Sequence, residues 1–157
     1  RPLSVLPDPR VDIEMSERER RRTAILAGAR LSQRLALVER AAAEVRVGAQ
    51  RVRDRLSEVS VEDATILRES ADELLAGLAD AADLEPARAY RREVSGLSSS
   101  YDAPTEAQRL ELGRLSELVD ALESEMNVFL LGPVARFRDE VLAATLEVFP
   151  SPRLVGN

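Results

Sequence analysis

Asp102 and Glu106 stand four residues apart around Pro104-Thr105, and a carboxylate pair is the equipment of acid–base chemistry on a sugar. Two acids at that spacing also suit a helix start, where the macrodipole favours negative charge. A second acidic set is Glu62, Asp63, Glu69, Asp72 and Glu73. A di-metal carboxylate bundle would add Glu-x-x-His pairs to such a set. The chain has no His, so these acids are expected to form a solvated face. Arg18, Arg20, Arg21 and Arg22 could meet phosphate or an acidic partner. Glu17 and Glu19 lie among them, and a net charge of -6 with 3% aromatic residues speaks against nucleic acid.

What is missing excludes more. The 157 residues contain no His, Cys or Trp, and all 22 basic residues are Arg. Ser-His and Cys-His pairs, Schiff-base and P-loop lysines, thiolate or imidazole metal sites and disulfides are therefore impossible within this chain. No catalytic, cofactor-binding or metal-binding residue is assigned. Nor does any apolar run approach the roughly 20 residues that span a bilayer.

The elements that must position any site are helical. Ser16 with Glu19 gives a capping-box pattern, which predicts a helix opening at Ser16. Beyond it, apolar or small residues recur in alternating steps of three and four: Ala24, Gly28, Leu31, Leu35, Val38, Ala42, Val45, Ala49, Val52, Leu56 and Val59. That heptad register predicts one helix over 17–59, about 64 Å long. The register fails near Ser60, where a turn is expected. A new seam, Leu67, Ala71, Leu74, Leu78 and Ala81, predicts a helix over 61–84. Pro86 interrupts it, and a shorter helix over 87–100 carries Tyr90, Val94 and Leu97 on one side.

Thr105 and Gln108 form another capping box. The seam Leu112, Leu115, Val119, Leu122, Met126 and Phe129 follows, and Gly132-Pro133 should kink or break this last helix before it resumes to about Val148. The broken pair and the last helix are each expected to reach about 57–60 Å, matching the first. Charge adds a reason for pairing. Residues 17–59 hold 11 Arg and 6 acids, a net of +5, whereas residues 61–84 hold 1 Arg and 7 acids, a net of -6. Opposite signs favour these two as antiparallel neighbours.

The expected fold is thus all-α. It is an antiparallel three-column helical bundle made of one long helix, a broken helix pair and a kinked last helix, with a short N-terminal extended strand. Residues 1–15 read as that strand and a proline elbow left from a preceding β-sandwich, 16–149 as the bundle, and 150–157 as a flexible tail. Pro7, Asp8, Pro9 and Arg10 form the elbow. The cluster Phe129, Leu130, Leu131, Val134 and Phe137 is too apolar for one narrow seam. It is either core at the bundle end or a docking patch for a neighbouring domain.

Two segments resemble a known class. Val5 to Val11, VLPDPRV, resembles the junction between a small immunoglobulin-like sandwich and a helical C-terminal region in secreted bacterial β-propeller proteins of the sortilin-like, BNR-repeat kind. Tyr101 to Gln108, YDAPTEAQ, resembles the start of the last helix of that region. The resemblance implies a secreted or periplasmic parent and a non-catalytic accessory role. The partner it implies is the preceding sandwich or propeller of the same protein. Another protein or self-association is also admitted; nucleic acid and a membrane span are not. Two rival functions stand beside it: a free-standing coiled-coil adaptor that homodimerises through the 17–59 seam, and the helical part of a hydrolase whose catalytic domain is absent from this chain.

Overall fold

The computed structural model describes residues 13–57, 62–99 and 102–144. They form seven helical pieces in three columns, with no strand among the described residues. The first column is α1 (Met15–Ser57). The second is α2 (Glu62–Ala81), α3 (Glu85–Ser95) and a short 3-10 turn, Gly96–Ser98. The third is α4 (Glu106–Phe129), a wide π turn (Leu130–Val134) and α5 (Ala135–Ala143). The expected strand, the elbow Pro7 to Arg10, the turn at Ser60 and the tail lie outside the described residues.

Contacts set the directions. Near one end Leu56 packs with Ala64 and Leu67, and Arg53 Nη1 lies 3.3 Å from Asp72. Near the other, Arg21 Nη2 donates to the Ser98 carbonyl at 3.3 Å. The second column therefore runs antiparallel to α1. A Cβ on Gly28 would lie 3.7 Å from Leu112 Cδ1, and further along both helices Arg34 reaches Asp120 and Glu123, so α4 runs beside α1 in the same direction. The architecture is up, down, up.

The seam residues face inward as their spacing requires. Ala24, Gly28, Leu31, Leu35, Val38, Ala42, Ala49 and Leu56 of α1 are buried. Leu67, Ala71, Leu74 and Leu78 meet them from α2, and Leu115, Val119, Leu122 and Met126 from α4. The described core contains no buried polar or charged residue. Gly28 marks a close approach: a Cβ there would stand 2.7 Å from Val94 Cγ1. Val94 is buried and β-branched, so it has little freedom to yield.

Two local expectations need correction. α1 begins at Met15, not Ser16. The backbone N–H groups of Glu17 and Arg18 donate to the Glu14 carbonyl, so Ser16 sits inside the first turn, and its hydroxyl lies 3.4 Å from Glu14 Oε2. The helix after Pro86 starts earlier than expected, at Glu85, because proline fits the first turn of a helix, where its missing donor leaves no bond unmade. Of the kink or break expected at Gly132-Pro133, the third column shows no break. The wide turn carries the Pro133 ring away from the carbonyl it would otherwise strike, and helix continues through to Ala143. At Thr105 the capping box is formed as expected, with Gln108 N–H to Thr105 Oγ1 at 3.2 Å and Thr105 N–H to Gln108 Oε1 at 2.9 Å.

Candidate functional site

The apolar cluster of the third column is divided by the π turn. Phe129 and Phe137 are buried, 7% and 8% exposed, and belong to the core. Leu130 and Val134 are half-buried and pack against that core. Leu131 alone of the five is fully turned outward, 83% exposed, with Val128 beside it at 69%. Phe129 and Phe137 thus belong to the core near this end of the bundle, and the side chains turned outward here are Leu131 and Val128.

Below the turn is a half-open cavity of about 240 Å³ between α2 and the third column. Its walls include Leu74, Gly77, Phe129, Pro133 and Phe137. Gly77 allows the ring in: a Cβ there would lie 3.1 Å from Phe129 Cε2.

Two polar cross-links brace the middle of the bundle. Arg34 presents its fork to Glu123, Nε to Oε1 at 2.9 Å and Nη2 to Oε2 at 2.5 Å, and Nη2 also reaches Asp120 Oδ1 at 2.6 Å. The hydrogen bonds to Glu123 and then Asp120 raise the guanidinium's pKa further above its usual range. On the opposite flank Glu39 accepts from Arg88 Nε at 2.9 Å and Arg91 Nη1 at 3.4 Å. The Arg88 hydrogen bond, helped by the positive charges of both arginines, holds the Glu39 carboxyl below the usual carboxylate value, although partial burial opposes this.

That shift makes Glu39 a source of acid sensitivity. A carboxyl with a depressed folded pKa contributes its stability in full above its unfolded value, about 4.3. The contribution disappears as pH falls through the lower folded value. Glu39→Gln should therefore destabilise the chain at pH 7, by no more than about 1 kcal/mol because its arginine partners are partly exposed. It should also make the variant lose less stability than the parent between pH 7 and pH 3. Urea titrations at both pH values measure this, and equal acid losses would contradict the assignment.

The other candidate residues have structural employment. Arg18 Nε donates to the Ile13 carbonyl at 3.1 Å, and Arg20 bonds the Ser16 carbonyl and hydroxyl at 3.2 Å each. With Arg21 on Ser98, three of the four clustered arginines secure the start of α1. Arg68 Nη2 donates to the Leu56 carbonyl, closing the C-terminal end of α1. Asp72 faces Arg53, while Glu69 and Glu73 are exposed. Glu106 occupies the first turn of α4 and is exposed. The cross-links of Arg34 and Glu39 escape sequence reasoning, because each joins residues roughly 50 to 90 positions apart.

No protein-family model, curated protein or solved structure matches the chain. No helix among the described residues is long and apolar enough to cross a membrane. The fold defines the class, an all-α three-column bundle.

Proposed function

We propose that the chain is a non-catalytic helical accessory domain of an extracytoplasmic β-propeller protein, where it packs against the preceding sandwich or propeller and sets spacing and angle. The observation that carries this reading is the bracing of three matched columns along their length. Arg21–Ser98 ties one end, the Arg34 and Glu39 clusters tie the middle, and Arg53–Asp72 with Arg68–Leu56 tie the other. A rod locked at three levels resists bending, which is the property a spacer needs. The α1 seam is occupied by the chain's own columns, so homodimerisation through it would require the bundle to open. The junction motif Asp8-Pro9-Arg10-Val11 supplies the expected place of attachment.

The test is small-angle scattering of the parent protein with and without Pro7→Ala/Pro9→Ala. A stiff elbow should give one interdomain angle in the parent and a broader distribution in the variant. Identical profiles would remove the elbow from the account.

A further inference from the structure

We infer that the half-open cavity between α2 and the third column is a binding site for a small zwitterion, an α-amino acid with a branched aliphatic side chain. The cavity, of about 240 Å³, has an apolar floor and a charged mouth. Leu74, Phe129 and Phe137, all buried, make the floor together with Pro133. Glu73 on α2 and Arg136 and Glu140 on α5 stand at the mouth; the first two are exposed and Glu140 is half-buried. At about 30 Å³ for each water, the space holds about eight waters, or a ligand of about eight to ten non-hydrogen atoms, the size of leucine. Two features that are unfavourable in an ordinary helix border it. Gly77 stands inside α2, where glycine is disfavoured, and Pro133 lies in the π turn. Such π turns recur at functional sites.

The mouth carries charges that the bundle does not use. Glu73, Arg136 and Glu140 make no hydrogen bond or ion pair among the described residues, although all three line one opening. Elsewhere charges on facing helices do pair, as Arg34, Glu39 and Arg53 demonstrate. Arg136 precedes Glu140 by one helical turn, the less favourable order for a pair along one helix.

Two carboxylates and a guanidinium around an apolar floor match the chemistry of an α-amino acid. Its ammonium has donors enough for Glu73 and Glu140 together, and its carboxylate suits the fork of Arg136. Its side chain displaces water from a floor that offers that water few hydrogen bonds. A simple amine would leave Arg136 unused, and a simple acid would face two carboxylates. The site uses the intact bundle and does not rest on the accessory-domain reading.

The experiment follows the backbone amide NMR spectrum of the full chain during titration with L-leucine. Saturable shifts are expected at Ser70, Gly77 and Arg136, which border the cavity. Isoamylamine is leucine without its carboxylate, and isocaproate is leucine without its ammonium. Each should bind at least about 10-fold more weakly than leucine. Arg136→Gln should weaken leucine at least about 10-fold and leave isoamylamine unchanged. Glu73→Gln/Glu140→Gln should weaken leucine and isoamylamine but not isocaproate. That crossed pattern reports the charges themselves, because a general distortion of the cavity would weaken every ligand alike. Circular dichroism checks that each variant keeps its helices. Absence of saturable shifts with leucine would overturn the inference. So would either analogue binding the parent as well as leucine does, or Arg136→Gln weakening leucine and isoamylamine alike.

Discussion

Phe129→Ala should destabilise the chain by about 3–5 kcal/mol, while Leu131→Asp, two residues on, should change stability by less than about 0.5 kcal/mol. The first substitution empties a site that is 7% exposed, closed by Gly77 from the facing helix. A void there has few ways to collapse, because the cavity between α2 and the third column already borders it. The second places a carboxylate where the side chain is 83% exposed, so the charge stays in water. Urea unfolding of both variants measures the contrast. Comparable losses would mean that the π turn does not hold its residues in the phase described above.

The reason that phase escapes the sequence is instructive. Seam steps of three and four run cleanly through Leu122, Met126 and Phe129, and continuing them reaches Pro133 and Arg136. The five apolar residues from Phe129 to Phe137 are more than one narrow seam takes, so by spacing alone they read either as core at the bundle end or as a docking patch. The π turn contains more residues than an α turn, which rotates everything after it. Phe137 then points to the core and Arg136 outward. No residue type announces a π turn; Gly132-Pro133 signals only that ordinary helix is difficult there. By contrast the Thr105 capping box is written in four adjacent residues and forms as written. Ser16 carries a similar pattern, but the first turn closes on the Glu14 carbonyl instead. The register break near Ser60 and the opposite net charges of 17–59 and 61–84 point to α1 and α2 as antiparallel neighbours, but not to the Arg34 and Glu39 clusters, since charged residues on open helix faces have no period that names their partners. The inner seams were legible because every position on them answers to one demand, exclusion of water.

That demand makes Leu35→Asp the most damaging single change expected here. Leu35 is 0% exposed at the middle of the longest helix, within a core that offers no buried polar partner. Removing the leucine loses about 2–5 kcal/mol of packing, and a carboxylate in its place adds a desolvation penalty of several kcal/mol more. The sum rivals the whole stability of a domain this size, about 5–15 kcal/mol. The variant should show no cooperative urea transition at pH 7. Lowering the pH toward 4 should restore part of its helicity by neutralising the new acid, an effect opposite in sign to the Glu39 dependence. Leu37→Asp is the matched control: Leu37 is 66% exposed on the same helix, and its loss should cost less than about 0.5 kcal/mol. A seam that faced a second chain instead of its own columns would give a different pattern. Leu35→Asp would then yield a folded monomer, and its circular dichroism would match that of the parent. A normal transition in Leu35→Asp would therefore contradict the closed three-column core, whatever the fate of Leu37→Asp.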